Sequence, residues 1–299
     1  MISSSDDDNL LLPGISLPLK DVEHTEVLLK PIDNRIWTKH KALLIARYVH
    51  LFTVVTKHGV YIDGFAGPQY EDNLEEWSAR LVLLNKPGRL RKFFLFDKSR
   101  DQVKRIKKMV NALPPQEKGD NKREIIVDKG DCNSKILEVL ENRVIRPKEA
   151  TFALLDQRTF ECEWKTSVAL AQYKPKGCHK IEQFYFFPSA WFQRAIKNSK
   201  TEKQFERIDR WWGSREWKKL ADLRPWDRMM MLRNRFQHEL GYKYVTPWPI
   251  YEAENGCGVM MYFMIHASDH EEAPKLMRRA YAQCVTRREP IGQPSLIFE

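Results

Sequence analysis

The chain has 299 residues, 42% of them hydrophobic and 30% charged, a balance that suits one large soluble α/β domain with an insertion, or two small domains. The longest purely apolar stretch, around Val259 to Ile265, fits a core strand and is too short to cross a bilayer, so no membrane association is expected. The net charge of +10 favours anionic partners, nucleic acid among them, although many basic proteins bind none.

Residues 1–34 read as a frayed tail and lead-in: Met1 to Asn9 is rich in Ser and Asp rather than in the basic and apolar residues of a secretory signal. From Ile36 to Val55 apolar residues recur at steps of three and four, which predicts an amphipathic helix. A strand-then-helix rhythm follows. Strands are expected at 60–63, 92–97, 124–128, 151–156 and 181–187, with helices at 74–84, 99–110, 133–142 and 164–173 between them. Continuous apolar runs without alternation suit a parallel sheet covered on both faces. The predicted fold is therefore α/β, a Rossmann-like and mostly parallel sheet. Its cofactor-binding core spans residues 35–190. A helical, Arg/Lys/Trp-rich insertion occupies 191–240, and strands near 242–250 and 258–265 with a closing helix complete the core over 241–299. The five cysteines form no C-x-x-C pair and no zinc-like cluster with histidine, so a reduced, cytoplasmic chain without structural metal is expected.

In such a sheet ligands sit beyond the carboxyl ends of the strands, where Asp63, Asp97, Asp131 and Asp156 would gather. The turn Asp63-Gly64-Phe65-Ala66-Gly67 lets backbone approach a ligand closely. It is neither G-x-G-x-x-G nor a Walker loop, which disfavours a dinucleotide dehydrogenase. Asp97 can hold ribose hydroxyls or simply cap the next helix. Asp131 and Cys132 can border an adenine, or the segment is a cap with Asn133 as the capping residue. Asp156 and Gln157 can face an acceptor and take up its proton, or anchor a loop.

Two further patterns carry chemistry. Asp156, Glu163 and Lys165 spell D-x6-E-x-K, which echoes Mg²⁺-dependent nucleases, yet Glu163 and Lys165 open a predicted helix where that motif needs a strand. The segment from Arg194 to Arg235 holds 13 basic and 6 acidic residues with interleaved tryptophans. Arg194 could hold phosphates while Trp211 and Trp212 stack on bases; alternatively the tryptophans are core and the charges are solvated.

Lys39-His40, the run Tyr61 to Pro68, the Phe96-Asp97 and Leu154-Leu155-Asp156 strand ends followed by Trp164, and the Ile265 to His270 segment ahead of Leu276-Met277 together resemble the three-Cys-motif partner protein family (TcmP). The resemblance spans about residues 35 to 285. It implies a class I methyltransferase-like fold that binds S-adenosylmethionine, with Asp63, Gly64, Phe65 and Gly67 at the methionine end, Asp97 at the ribose, and Asp131 and Cys132 at the adenine. Asp156 and Gln157 would be catalytic, and Lys39 would join the substrate contacts. It also implies a partner carrying a three-cysteine motif like that of radical-SAM proteins. The sequence departs from the family at Gln69, where a glycine is usual, and at Asp156-Gln157-Arg158-Thr159, where D-P-hydrophobic-G is usual. These departures motivate the alternative of a methyltransferase-fold binding module without turnover.

Overall fold

The computed structural model describes residues 40–68, 73–189, 192–251 and 260–285. The N-terminal tail, Lys39 and Gln69 lie outside the described residues. The chain runs α1 (Lys41–Thr56), β1 (Gly59–Asp63), α2 (Ser78–Leu83), β2 (Leu90–Asp97), α3 (Arg100–Asn111), β3 (Glu124–Lys129), α4 (Cys132–Glu141), β4 (Thr151–Leu155), α5 (Trp164–Gln172) and β5 (Glu182–Phe187). Three helices follow, α6 (Phe192–Asn198), α7 (Glu202–Trp212) and α8 (Pro225–His238), and then β6 (Tyr244–Tyr251), β7 (Met260–Ser268) and α9 (Ala273–Val285). None of the described helices is long and apolar enough to cross a membrane.

The strands form one seven-stranded sheet in the order β3-β2-β1-β4-β5-β7-β6. β1 to β5 pair in parallel, whereas β7 runs antiparallel to both β5 and β6. The mostly parallel sheet matches the sequence expectation. The reversal of β7 was not read there, because a short link between consecutive strands permits antiparallel pairing and leaves no mark on the apolar pattern.

Successive strand residues point to opposite faces, and each face has its own core. Tyr61, Phe93, Phe152 and Phe184 pack with α1, α2, α3 and α9. Val60, Ile62, Phe94, Phe96 and Tyr185 pack with α4, α5 and the helices of the insertion. α3 shows how the pattern works locally. Ser99 caps its first turn, Val103, Ile106 and Met109 bury one stripe, and Lys104, Lys107 and Lys108 face solvent as a solvated surface.

The insertion extends the second core. α7 starts with a reciprocal cap: Thr201 Oγ1 accepts the Gln204 N–H at 3.4 Å, and Gln204 Oε1 accepts the Thr201 N–H at 3.0 Å. Trp211 lies parallel to Phe187 and 4.7 Å from the Phe160 ring. The Arg235 guanidinium sits 4.0 Å from the Trp164 ring centre and 4.4 Å from that of Trp212. Trp211 and Trp212 are only 1% and 2% exposed. Their faces are occupied by protein, which corrects the expectation that they stack on substrate bases.

Candidate active site

A cavity of about 1200 Å³ opens beyond the carboxyl ends of β1 to β5. Gly64, Phe65 and Gly67 line it after β1, Asp97 after β2, Asp131 and Cys132 after β3, and Asp156 and Gln157 after β4. Candidates spread over almost a hundred positions of sequence are thus brought to one wall. Asp63 is the exception. It is 1% exposed and works beneath the turn, where Oδ1 accepts the Phe65 N–H at 3.0 Å and Oδ2 accepts the Tyr61 hydroxyl at 3.0 Å. Burial pushes the Asp63 carboxyl up to about 7 against the pull of those two hydrogen bonds, with the Asp156 and Asp97 charges adding to the rise.

The turn and the second strand are locked together. Asp97 accepts the Gly67 N–H at 3.1 Å through one oxygen and the Ser99 N–H at 2.8 Å through the other. A Cβ at position 67 would stand 2.5 Å from Asp97 Oδ2 and 2.8 Å from Gln102 Cβ. Gln102 also lines the cavity, and its Oε1 is buried without a hydrogen-bond partner among the described residues.

At the third strand the cap of α4 is Asp131, which accepts the Asn133 N–H at 3.0 Å, so the expectation that Asn133 caps this helix is corrected. Asn133 instead brackets the loop after β4. Its amide nitrogen donates to Glu161 O, and its oxygen accepts from the Glu163 N–H and the Thr166 hydroxyl, each at 2.8 Å. Nothing in the spacing marked that role. Cys132 is 3% exposed, and its thiol is held far above the ordinary range by a hydrogen bond with Cys162 and by burial. A neutral thiol there is a wall of the cavity and not a nucleophile.

At the fourth strand the two residues read as catalytic diverge. The Gln157 amide is used at both ends, donating to Phe186 O at 3.1 Å and accepting the Cys162 N–H at 2.8 Å. It holds the loop in place and has no proton to transfer. Asp156 faces the cavity and pairs with Lys41 at 2.6 Å. Burial alone would lower the Lys41 ammonium, but Asp156 and Tyr262 outweigh it and keep the lysine charged. Lys41 and Tyr262 were not read from sequence. In the sequence Lys41 opens an amphipathic helix and carries no mark of its burial, and Tyr262 carries none of its place at the cavity.

The nuclease arrangement is absent. Glu163 stands at the N-cap position of α5 without a side-chain capping bond and pairs with Lys165 at 2.7 Å and with Arg210 at 3.1 Å, and Lys165 is exposed on the helix. Among the described residues no three His, Cys, Asp or Glu side chains gather as metal ligands. Arg194 is exposed on α6 and does not reach the cavity. The basic contribution comes from α7, where Lys203, Arg207 and Arg210 form part of the lining. Arg207 pairs with Glu161 at 2.8 Å, so α7 is tied to the loop that carries Asp156. No family model matches the chain, and no curated protein matches it.

Proposed function

We propose that the chain binds S-adenosylmethionine and acts as a methyltransferase-like protein on an acceptor beside Asp156. The observation that carries this reading is the convergence of the Gly64–Gly67 turn, Asp97, Asp131 and Asp156 on one cavity, in strand order, beyond a doubly wound sheet. The groups fit the ligand. Asp97 would take the ribose hydroxyls with its remaining lone pairs, with Gln102 Oε1 as a further acceptor. Asp131 and Cys132 would border the adenine, and the Phe65–Gly67 backbone would approach the methionine end. When bound, S-adenosylmethionine would supply an electrophilic methyl group to the acceptor lone pair, with S-adenosylhomocysteine as the leaving product. Asp156 would accept the proton that the acceptor gives up, and Gln157 and Asn133 would hold the loop that carries it.

Calorimetry tests the cofactor reading. The native protein should bind S-adenosylmethionine, and Asp97→Ala should weaken binding by about tenfold or more; no binding by the native protein overturns the reading. The family resemblance adds a three-cysteine-motif partner to this proposal, to be sought by co-purification of the two chains.

A second reading is favoured by the full use of the Gln157 amide and the pairing of Asp156 with Lys41: a binding module that keeps the cofactor without turnover. Radiolabelled methyl transfer to a DNA or RNA pool would exclude it.

A further inference from the structure

Six basic and six acidic side chains line the cavity, and most of them cancel. Lys98 faces Asp131 at 3.6 Å, and Lys41, Arg207 and Arg210 are held by Asp156, Glu161 and Glu163. Four charges are left over among the described residues. Glu76 and Asp97 follow β1 and β2, whereas Arg158 lies two residues beyond Asp156 and Lys203 lies in the first turn of α7. The cavity is thus neutral in sum but divided in sign. A sulfonium cofactor suits the acidic side, and the basic side adjoins the acceptor position at Asp156.

Lys203 is also the inner end of a longer feature. Arg194 and Lys197 lie three apart on α6, and Lys200 lies in the link to α7; all four cations are exposed. No acidic residue occurs between positions 192 and 201. The acids of α7 are taken by other arginines, Glu202 and Asp209 by Arg215 and Glu206 by Arg210. The strip therefore keeps its charge. The Lys200 N–H donates to Gln204 Oε1 at 2.7 Å, and Gln204 lines the cavity, so the strip reaches the cavity mouth. A small phosphate ester needs only the two cations at the mouth. Cations that continue outward over α6 serve a chain whose negative charges continue outside the cavity. An acidic peptide carries its charge on the side chains that would enter, against Asp156 and Asp97. A nucleic-acid strand keeps its charge on the backbone and sends in a neutral base, and a base reaches such a cavity only when it is unpaired.

We infer that Arg194, Lys197, Lys200 and Lys203 form a phosphate track that leads a single-stranded nucleic acid to the cavity mouth, where Arg158 holds the strand beside Asp156. As an assignment of the acceptor class the inference rests on the cofactor reading above, whereas the track binds the strand without cofactor.

The test is fluorescence anisotropy with cofactor-free protein and a short, labelled deoxyadenosine homopolymer over a series of salt concentrations. The native protein should bind the strand. Replacing Arg194, Lys197 and Lys200 together with alanine should reduce the salt slope by about 2, at about 0.7 for each phosphate contact, and weaken binding about tenfold or more. A control variant removes the same charge from the exposed α3 lysines Lys104, Lys107 and Lys108, on the other face of the sheet, and should leave slope and affinity unchanged. No binding by the native protein overturns the track. Equal weakening by the two triple substitutions overturns it as well, since net charge alone then attracts the strand. Polyglutamate binding as tightly as the strand would make the partner an acidic polypeptide, and deoxyadenosine monophosphate competing as well as the strand would make it a small phosphate ester; either result overturns the inference. Calorimetry with S-adenosylmethionine is independent of these titrations: its failure overturns the cofactor reading and leaves the strand-binding track in place.

Discussion

A methyl group at position 67 has no room. It would stand 2.5 Å from Asp97 Oδ2, inside any real contact distance, and on the other side it meets Gln102. Gly67→Ala should therefore push Asp97 off the Gly67 and Ser99 amides and weaken S-adenosylmethionine binding about tenfold by calorimetry, with the fold retained. Asp63 makes a different prediction. Its carboxyl is raised to about 7 by burial, against about 4 in an unfolded chain. Between those values the folded state holds a proton that the unfolded state has lost, so this group's contribution to stability is complete below about pH 4 and declines as pH rises through 7. Three units correspond to roughly 4 kcal/mol at most. Asp63→Asn keeps an oxygen for the Phe65 N–H and removes the titration. Its stability relative to the native chain, from urea midpoints at a series of pH values, should thus improve steadily between about pH 4 and 7. Asp63 also marks where residue-level reading stopped. The alternation of side chains along a strand places Asp97 and Asp156 near a sheet edge, but whether a strand-end carboxylate turns outward to the cavity or inward to Tyr61 depends on a partner that sequence spacing does not identify.

Among elements, α7 connects the insertion to the cavity. It is tied to the Asp156 loop through the Arg207–Glu161 and Arg210–Glu163 pairs, and its buried end is set by Gly213. Gly213 has φ +83, and a Cβ there would stand 2.7 Å from the Trp164 ring. Gly213→Ala should destabilise the protein by more than about 1 kcal/mol in chemical denaturation, because both the conformation and the space exclude it. The strand and helix rhythm that builds the core was legible, since long apolar runs separated by capped helices have few other readings. The insertion was legible as helices but not as packing. A tryptophan in an Arg/Lys-rich helix has the same sequence context whether it faces a base or a core, and only the positions of Phe160, Phe187 and Arg235 decide that Trp211 and Trp212 point inward. Lys41 and Tyr262 were missed for a related reason: they meet Asp156 across α1, β4 and β7, and no local pattern records contacts of that range.

At the scale of the whole molecule, the +10 net charge and the cavity have to be weighed together. Much of the local charge is self-neutralised. Arg207, Arg210 and Lys41 on the cavity wall face Glu161, Glu163 and Asp156. The net charge therefore says less about binding than the exposed cations at this cavity, and Arg158 and Lys203 are the two to test. If a single strand enters here, these side chains displace counterions from its phosphates. The logarithm of the binding constant then falls linearly with the logarithm of salt concentration, by about 0.7 for each phosphate neutralised on a single strand. Replacing both Arg158 and Lys203 with alanine should reduce that slope by about 1.4 in anisotropy titrations with a deoxyadenosine homopolymer. It should weaken deoxyadenosine and thymidine strands by the same factor, because phosphate contacts carry no base preference. A slope unchanged by the double substitution would place the strand elsewhere on the basic surface.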